Sequence, residues 1–396
     1  MPRAILPINA GSSSIKFALF DIAASDRIDA VSSGQIEGIG TAPHFLATDA
    51  VGAVLAEQRW PQNAEQTHEV LLGHLLQWVE QHLGQENLAA VGHRILHGGA
   101  THYRPEHFTP DLLARLAELT PLAPLHQPHN LAPVRAIAMM RPRLPQIACF
   151  DSGFHHGMST VATRLALPRA YEAEGVRRYG FHGLSYEFIA RRLRAVAPRL
   201  AEGRVIVAHL GNGASLCAMH DGQSVDVTTG FTALDGLMMS TRCGTIDPGA
   251  VLYLIQQRGM TAAQVEDVLY HHSGLLGVSG ISSDMRTLLR STDPRGREAV
   301  DLFVFRIARD TGALVSTLGG LDGFVFTAGI GEHAPEIRTA VCRRLAWLGA
   351  VLDNDANTHP DGRVSAPESR IEVWTIPTNE EAMIAHHTIE TIGLAA

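Results

Sequence analysis

Two stretches of this chain follow one plan, and that plan limits the fold more than any other feature. Residues 4–21, AILPINAGSSSIKFALFD, give an apolar run, a turn of small residues and a second apolar run that ends at Asp21. Residues 205–222, VIVAHLGNGASLCAMHDG, repeat it, with Ser215 closing the turn as Ser14 does and Asp221 standing where Asp21 stands. Short apolar runs bounded by glycine and serine read as strands joined in a hairpin, here 4–8 and 15–20 across 9–14. Both internal duplication and the general likeness of hairpins account for the pair. Helical periodicity follows at 67–82, 111–118 and 131–140, and the apolar segment 146–150 leads into Asp151. Beyond the second hairpin come helical patterns at 250–258 and 261–269 and a long one at 297–318. A strand at 323–327, a glycine turn and a further helix complete the pattern. Strands alternating with helices predict an α/β protein. With 396 residues, 45% of them hydrophobic, the chain has enough material for two domains. Prolines 121, 124, 128, 142 and 145 punctuate the approach to a boundary near residue 150.

Charge removes several function classes. A net charge of -8 without a block of like charges leaves no electrostatic footprint for nucleic acid or an anionic membrane. No segment approaches the ~20 apolar residues of a membrane span, and the apolar run of MPRAILPINAG is too short for a signal peptide. The expectation is a cytoplasmic protein acting on a small molecule. Four cysteines, 149, 217, 243 and 342, stand far apart without a CxxC pair, which argues against a disulfide framework or a structural zinc site.

Three glycine-containing turns follow apolar strands: NAGSSS at 9–14, GNGAS at 211–215 and AGIGE at 328–332. Each can present backbone N–H groups to phosphate, because glycine permits close approach. Each taken singly also fits an ordinary tight turn. Neither a P-loop nor a G-x-G-x-x-G fingerprint occurs. One further feature accompanies the turns: of 32 basic residues, 31 are arginine and one is lysine, Lys16. An ammonium is a compact charge with three donors, whereas a guanidinium is a planar fork. Lys16 is therefore expected to touch the phosphates of a bound nucleotide or the phosphoryl in transit; a neutral survivor of codon bias is the bland alternative.

The motifs INAGSSSIKFALFD, GHRILHGG (92–99), PLHQPHN (124–130), FDSGFH (150–155), RRYGFHGLS (177–185), HLGNGASL (209–216), GLMMSTRCGTIDPG (236–249), FTAGIGE (326–332) and TNEE (378–381) occur in one order along nearly the whole chain. Together they closely resemble the acetate kinase family, with propionate kinase the near neighbour and butyrate kinase a more distant one. The resemblance implies an α/β chain of two similar domains with the duplicated, ribonuclease H-like fold of actin, Hsp70 and hexokinase, an interdomain active-site cleft that binds ATP, and a homodimer. The implied N-terminal domain is 1–150 plus a C-terminal helix at 382–396, and the nucleotide-binding domain is 151–381. The implied reaction is reversible, direct in-line transfer of the γ-phosphoryl of ATP to acetate, giving acetyl phosphate and ADP; propionate or another short carboxylate is the alternative acceptor.

The resemblance also assigns residues. Arg94 matches the grip on the substrate carboxylate, and Arg242 the stabiliser of the phosphoryl in transit. His182 matches the histidine set against the transition state; His126 and His209 match positions nearby. Asp151 matches the family's acid/base position. Acetate arrives ionised, so the chemistry assigns Asp151 an electrostatic or orienting role, through His182 or Arg242. Leu96, Leu125, Phe181 and Ala233 match the acyl pocket. Asn9 and Glu380 match positions associated with Mg2+ (Mn2+ as the alternative), with Glu381 adjacent. Ser12, Ser14 and Lys16 match the phosphate side. His209, Leu210, Gly211, Asn212, Gly213, Asp284, Met285, Arg286, Gly329, Ile330, Gly331, Glu332 and His333 match the nucleotide positions. Departures from the usual pattern are Ala233 for a proline, Leu96 for a smaller valine, the wording at 183–185 and Ser240, and His333 for an asparagine. None removes a charged catalytic position. Two readings of the same fold compete: a sugar or polyol kinase, which needs a base for a neutral hydroxyl, and an ATP-driven binding module of the actin or Hsp70 type.

Overall fold

The computed structural model describes residues 4–11, 14–22, 30–61, 66–83, 88–124, 126–358 and 362–393. The chain divides into two compact units, Met1–Gly153 with Asn379–Ala396, and Phe154–Thr378.

The first unit is built on an eight-stranded sheet. Its strands are β1 Ala4–Ala10, β2 Ser14–Asp21, β3 Ala30–Glu37, β4 His44–Asp49, β5 Val54–Arg59, β6 Leu88–Ile95, β7 Glu106–His107 and β8 Gln146–Phe150, in the order β5-β4-β3-β2-β1-β6-β8-β7. β1 runs antiparallel to β2 and parallel to β6, which runs parallel to β8. In β2 the alternation places Ile15, Phe17 and Leu19 in the interior and leaves Lys16 exposed. The helix His68–Leu83 turns Leu71, Leu72, Leu75, Leu76 and Val79 inward at helical spacing, onto Leu6, Ile8, Phe17 and Phe45. The C-terminal helix Glu380–Thr391 packs on β1, β6 and β8. Gly92 makes that approach feasible, because a Cβ there would lie 2.2 Å from Thr388 Oγ1 and 2.5 Å from Ile384 Cγ2.

The second unit has a six-stranded sheet: β9 Arg204–Leu210, β10 Ala214–His220, β11 Gln223–Val227, β12 Gly323–Thr327, β13 Gly362–Arg363 and β14 Glu372–Thr375, in the order β11-β10-β9-β12-β14-β13. β9 is antiparallel to β10 and parallel to β12, which is parallel to β14. The orders β3-β2-β1-β6-β8 and β11-β10-β9-β12-β14 therefore coincide strand by strand in direction. Of the two accounts of the paired hairpins, this shared topology supports duplication. Along β9, Ile206, Ala208 and Leu210 join one core with Val300, Phe303, Val304 and Ile307 of the helix Pro294–Leu318. Val205 and Val207 join another with Ile189, Ala190 and Leu193 of the helix Gly183–Val196. A strand covered on both faces is apolar throughout, which is why these runs do not alternate with polar residues.

One expectation is corrected. AGIGE is not an open turn: Ala328–His333 is helical from the end of β12. Its glycines conceal six residues of helix, too few to give a periodic signal. Among the described residues no helix is long and apolar enough to cross a membrane.

The PLHQPHN motif acts as a clamp. From the helix Gln127–Met140, buried Asn130 accepts at Oδ1 from the Leu96 N–H (2.9 Å) and donates from Nδ2 to the Ala10 carbonyl (2.7 Å). It thereby fixes the exits of β1 and β6. Asn130→Ala strands both buried backbone groups, each at a cost of about 1–3 kcal/mol. The expected outcome is a lower urea midpoint for the first unit, and an unchanged midpoint would dismiss the clamp.

Candidate active site

The parallel strands of the first unit end together and deliver three polar side chains to one corner. Ile8 is level with His93 and Ile95 with Phe150, so Asn9, Arg94 and Asp151 leave neighbouring strand ends. Glu380 and Glu381 enter from the first turn of the C-terminal helix. Arg94 Nη2 donates to Asp151 Oδ2 (2.8 Å) and Nη1 to Asn9 Oδ1 (3.2 Å), while Nε stands 3.9 Å from Glu380 Oε2. Asn9 Nδ2 donates to Glu380 Oε2 (3.0 Å). The Arg94 side chain is 18% exposed and that of Asp151 is fully buried. Burial opposes the Arg94 charge, but Asp151, Glu380 and Glu381 outweigh it and its pKa is raised. Burial raises the pKa of Glu381, and the Glu380 carboxylate raises it further against the pull of Lys16 and Arg94. Lys16 lies directly across the β1–β2 ladder from Asn9, so the two side chains share a face. The corner holds two cations against three carboxylates. Asp151 is bonded to Arg94, a link the sequence did not suggest. Leu96 is buried beyond β6, Ser14 opens β2, and His126 precedes the helix Gln127–Met140. Ser12 and Leu125 lie outside the described residues.

In the second unit the turn 211–213 between β9 and β10 is the focus. A Cβ on Gly213 would lie 2.9 Å from His182 Nε2 and 3.1 Å from Arg242 Nη2, so only glycine lets the imidazole and the guanidinium approach the turn this closely. Arg242 is held by Nη1 donating to the Ala233 carbonyl (2.7 Å). Exposed Asn212 is joined to Ser240, its Oδ1 accepting from Ser240 Oγ at 3.2 Å. His182 has φ 60°, a left-handed conformation that costs a non-glycine residue about 1–3 kcal/mol and is kept only where the surroundings impose it. Its ring stacks on that of His209, with centroids 4.2 Å apart and planes 11° from parallel. His182 Nδ1 is 2.7 Å from Ser215 Oγ, which also bonds the Tyr186 hydroxyl. His209 Nδ1 is 2.9 Å from Ser185 Oγ, itself 2.8 Å from Thr378 Oγ1. Phe181 is buried, its N–H donating to Thr229 Oγ1.

The remaining nucleotide candidates divide. Asp284 caps the helix Met285–Arg290, accepting from the Arg286 and Thr287 N–H groups. It pairs with Arg286 at 2.6 Å, and that guanidinium is the main cause of its pKa falling to about 2. Both border a cavity of about 530 Å³ together with Ile281, Thr287, Arg290 and Ser291, while Met285 is buried. Gly329 and His333 are exposed, whereas Gly331 is buried and Ile330 half-buried. The Glu332 carboxylate turns inward, where Oε1 accepts from the Ala328 (2.7 Å) and Thr378 (3.1 Å) N–H groups. Leu210 is buried in β9, next to half-buried Gly211.

Sequence reasoning missed Asn130, Ser215, Tyr186 and Thr378. Asn130 lay in a quoted motif three residues after Gln127, a spacing that puts both amides on one helix face. The other three act through long-range hydroxyl contacts that leave no periodic trace.

A family model described as the Acetokinase family matches residues 4–386. An acetate kinase of Rhodopseudomonas palustris is 53% identical over 391 residues, 98% of each chain. One of Rhizobium meliloti is 48% identical over 390 residues, again 98% of each. Among solved structures, an acetate kinase of Porphyromonas gingivalis superposes with TM-score 0.87 at 34% identity, covering 98% of this chain and 100% of that one. A propionate kinase of Francisella tularensis gives TM-score 0.89 at 32% identity, with 98% and 99% covered. These neighbours carry the two-domain α/β fold over the whole length, and the chain belongs to the acetokinase family.

Proposed function

We propose that the protein transfers the γ-phosphoryl of ATP to the carboxylate of acetate, reversibly and by direct in-line displacement, giving acetyl phosphate and ADP. The observation that carries this reading is a half-buried guanidinium, Arg94, oriented by Asp151 and Asn9, in a chain half identical to enzymes named acetate kinase. A planar fork fixed in this way suits bidentate capture of a small carboxylate. Attack of one anion on another is slow chiefly because the two repel, so positioning and charge compensation supply most of the rate. Acetate is already ionised at neutral pH and needs no base, so Asp151 orients Arg94 and removes no proton. This separates the reading from a sugar kinase, which needs a base for a hydroxyl. In the second unit, Arg242 and His182 Nε2 donate to the phosphoryl oxygens above Gly213, with the backbone of 211–213 as a further donor surface. Adenosine occupies the cavity beside Asp284 and Arg286. Lys16, on the face of Asn9, meets the phosphates. Glu332 serves by holding the Ala328–His333 helix to the backbone at Thr378.

A divalent ion, Mg2+ or alternatively Mn2+, fits the corner of the first unit. Asn9 and Glu380 offer hard oxygens, and three carboxylates against two cations leave an excess of negative charge. Among the described residues no group of three or more His, Cys, Asp or Glu side chains forms a ready-made cage. Mg2+ commonly takes one carboxylate and completes its shell with water and substrate phosphates. When bound, the ion would neutralise phosphate charge.

Propionate is the second reading, favoured by the Francisella propionate kinase neighbour. Leu96 enlarges one wall of the expected acyl pocket and Ala233 trims another, and a methylene is worth only about 1–3 kcal/mol of discrimination. We also propose a cytoplasmic homodimer. The helix Pro248–Gln256 buries none of its residues, and Leu252, Tyr253 and Ile255 are 52%, 53% and 38% exposed. Such an apolar face suits a second copy of the chain. Tyr253→Glu is expected to yield a monomer in sedimentation velocity, and a monomeric wild type would refute the pairing.

Trapping acyl phosphate as the hydroxamate, with ATP, Mg2+ and acetate, propionate or butyrate, tests the activity. Acetate is expected to give the largest yield, and no hydroxamate from any acid would end the carboxylate reading. Arg94→Ala should raise the KM for acetate at least about tenfold, with a much smaller change for ATP. The pH dependence is also specified. The folded pKa of Glu381 is raised, so stability is greatest while the group is protonated and falls as pH climbs from 4.5 through the folded pKa. With EDTA present, Glu381→Gln should melt above the wild type at neutral pH, and the gap should close toward pH 4.5. A gap that widens on acidification would contradict the assigned cause.

A further inference from the structure

We propose that Ser215 and Tyr186 are positioning residues, forming a hydroxyl relay that keeps His182 in the tautomer whose Nε2 carries the hydrogen. Ser215 Oγ lies within hydrogen-bond reach of both His182 Nδ1 and the Tyr186 hydroxyl. A serine hydroxyl has one hydrogen to give, so it can donate to only one of the two partners. With Tyr186 donating to Ser215, the Ser215 hydrogen is left free to point at Nδ1, which then acts as an acceptor. The only ring hydrogen of a neutral His182 then sits on Nε2, the atom facing Gly213. In the reverse order Nδ1 donates to Ser215, and a neutral ring would turn a lone pair toward Gly213. That arrangement would repel any anion placed there.

Two further observations bear on the relay. His209, stacked on His182, has the same construction: its Nδ1 meets Ser185 Oγ, which meets the Thr378 hydroxyl. Arg242 Nη2 faces Gly213 beside His182 Nε2, and once an anion binds there the Nε2–H form serves it where a lone pair does not, a support that rests on the kinase reading. Tyr186 and Ser215 are both fully buried, and Tyr186 lies on the helix that His182 opens, so ring and relay are placed by one element.

The consequence for turnover rests on the kinase reading, but the tautomer is a property of the free protein. Wild type, Ser215→Ala, Ser215→Thr and Tyr186→Phe, each labelled with 15N-histidine, would be compared by long-range 1H–15N correlation at about pH 8, where a free imidazole is neutral. His182→Gln identifies the resonances. His182 in wild type should show the Nε2–H pattern. Ser215→Ala should move it toward a mixture and lower kcat on the order of tenfold, with the KM values for ATP and acetate within about twofold. Ser215→Thr, which keeps the hydroxyl, should restore both, and Tyr186→Phe should fall between. An Nδ1–H pattern in wild type, or a Ser215→Ala protein with an unaltered tautomer, would overturn the relay. Should wild type make no acyl phosphate, the activity reading fails and the tautomer measurements alone decide the relay.

Discussion

A guanidinium largely withdrawn from water needs opposite charge and acceptors around it, and Arg94 sets that demand in the first unit. The compensation comes from three places distant in sequence: Asn9 at the end of β1, Asp151 after β8 and Glu380 at the start of the last helix. Each partner explains a structural requirement elsewhere. β1, β6 and β8 must be parallel neighbours for three side chains to emerge at one edge, where open α/β sheets present ligand sites. The C-terminal helix must lie against β6, and Gly92 permits it. The strand exits must not shift, and Asn130 holds two of them.

Much of this was legible in the sequence because the relevant forces are local or periodic. The strand at 323–327 and the helix ending at 318 follow from apolar runs and helical spacing, and the structure gives Gly323–Thr327 and Pro294–Leu318. Glycine turns after strands were legible at 211–213, where the missing Cβ leaves the space the turn requires. AGIGE was not, because glycine marks a turn and a six-residue helix alike. The site residues followed from motif resemblance, but their partners did not. Asp151 with Arg94, Asn130 with Ala10 and Ser215 with Tyr186 are hydrogen bonds between residues far apart in the chain, and no propensity or period records such a pairing. Lys16 was conspicuous through composition alone, and only the strand register places it across from Asn9.

The two sheets share a topology and have come to opposite chemistry at corresponding edges. Beside the β1–β2 hairpin the side chains are mostly acceptors: Asn9 with Glu380, Glu381 and Asp151, set against Arg94 and Lys16. Beside the β9–β10 hairpin the groups facing Gly213 are the Arg242 guanidinium and the His182 imidazole edge. An excess of carboxylate favours a cation, and an array of N–H groups favours an anion. A duplicated fold can hold both because each edge is set by a few residues after the strands, leaving the apolar core untouched. His182 is where the constraint is tightest. Its left-handed backbone, its stack on His209 and its hydroxyl partner leave the ring little freedom of position, so the hydrogen on Nε2 is the one variable still to be fixed. Fixing it in advance spares the site reorganisation when an anion arrives, which is the condition under which donors stabilise developing charge best.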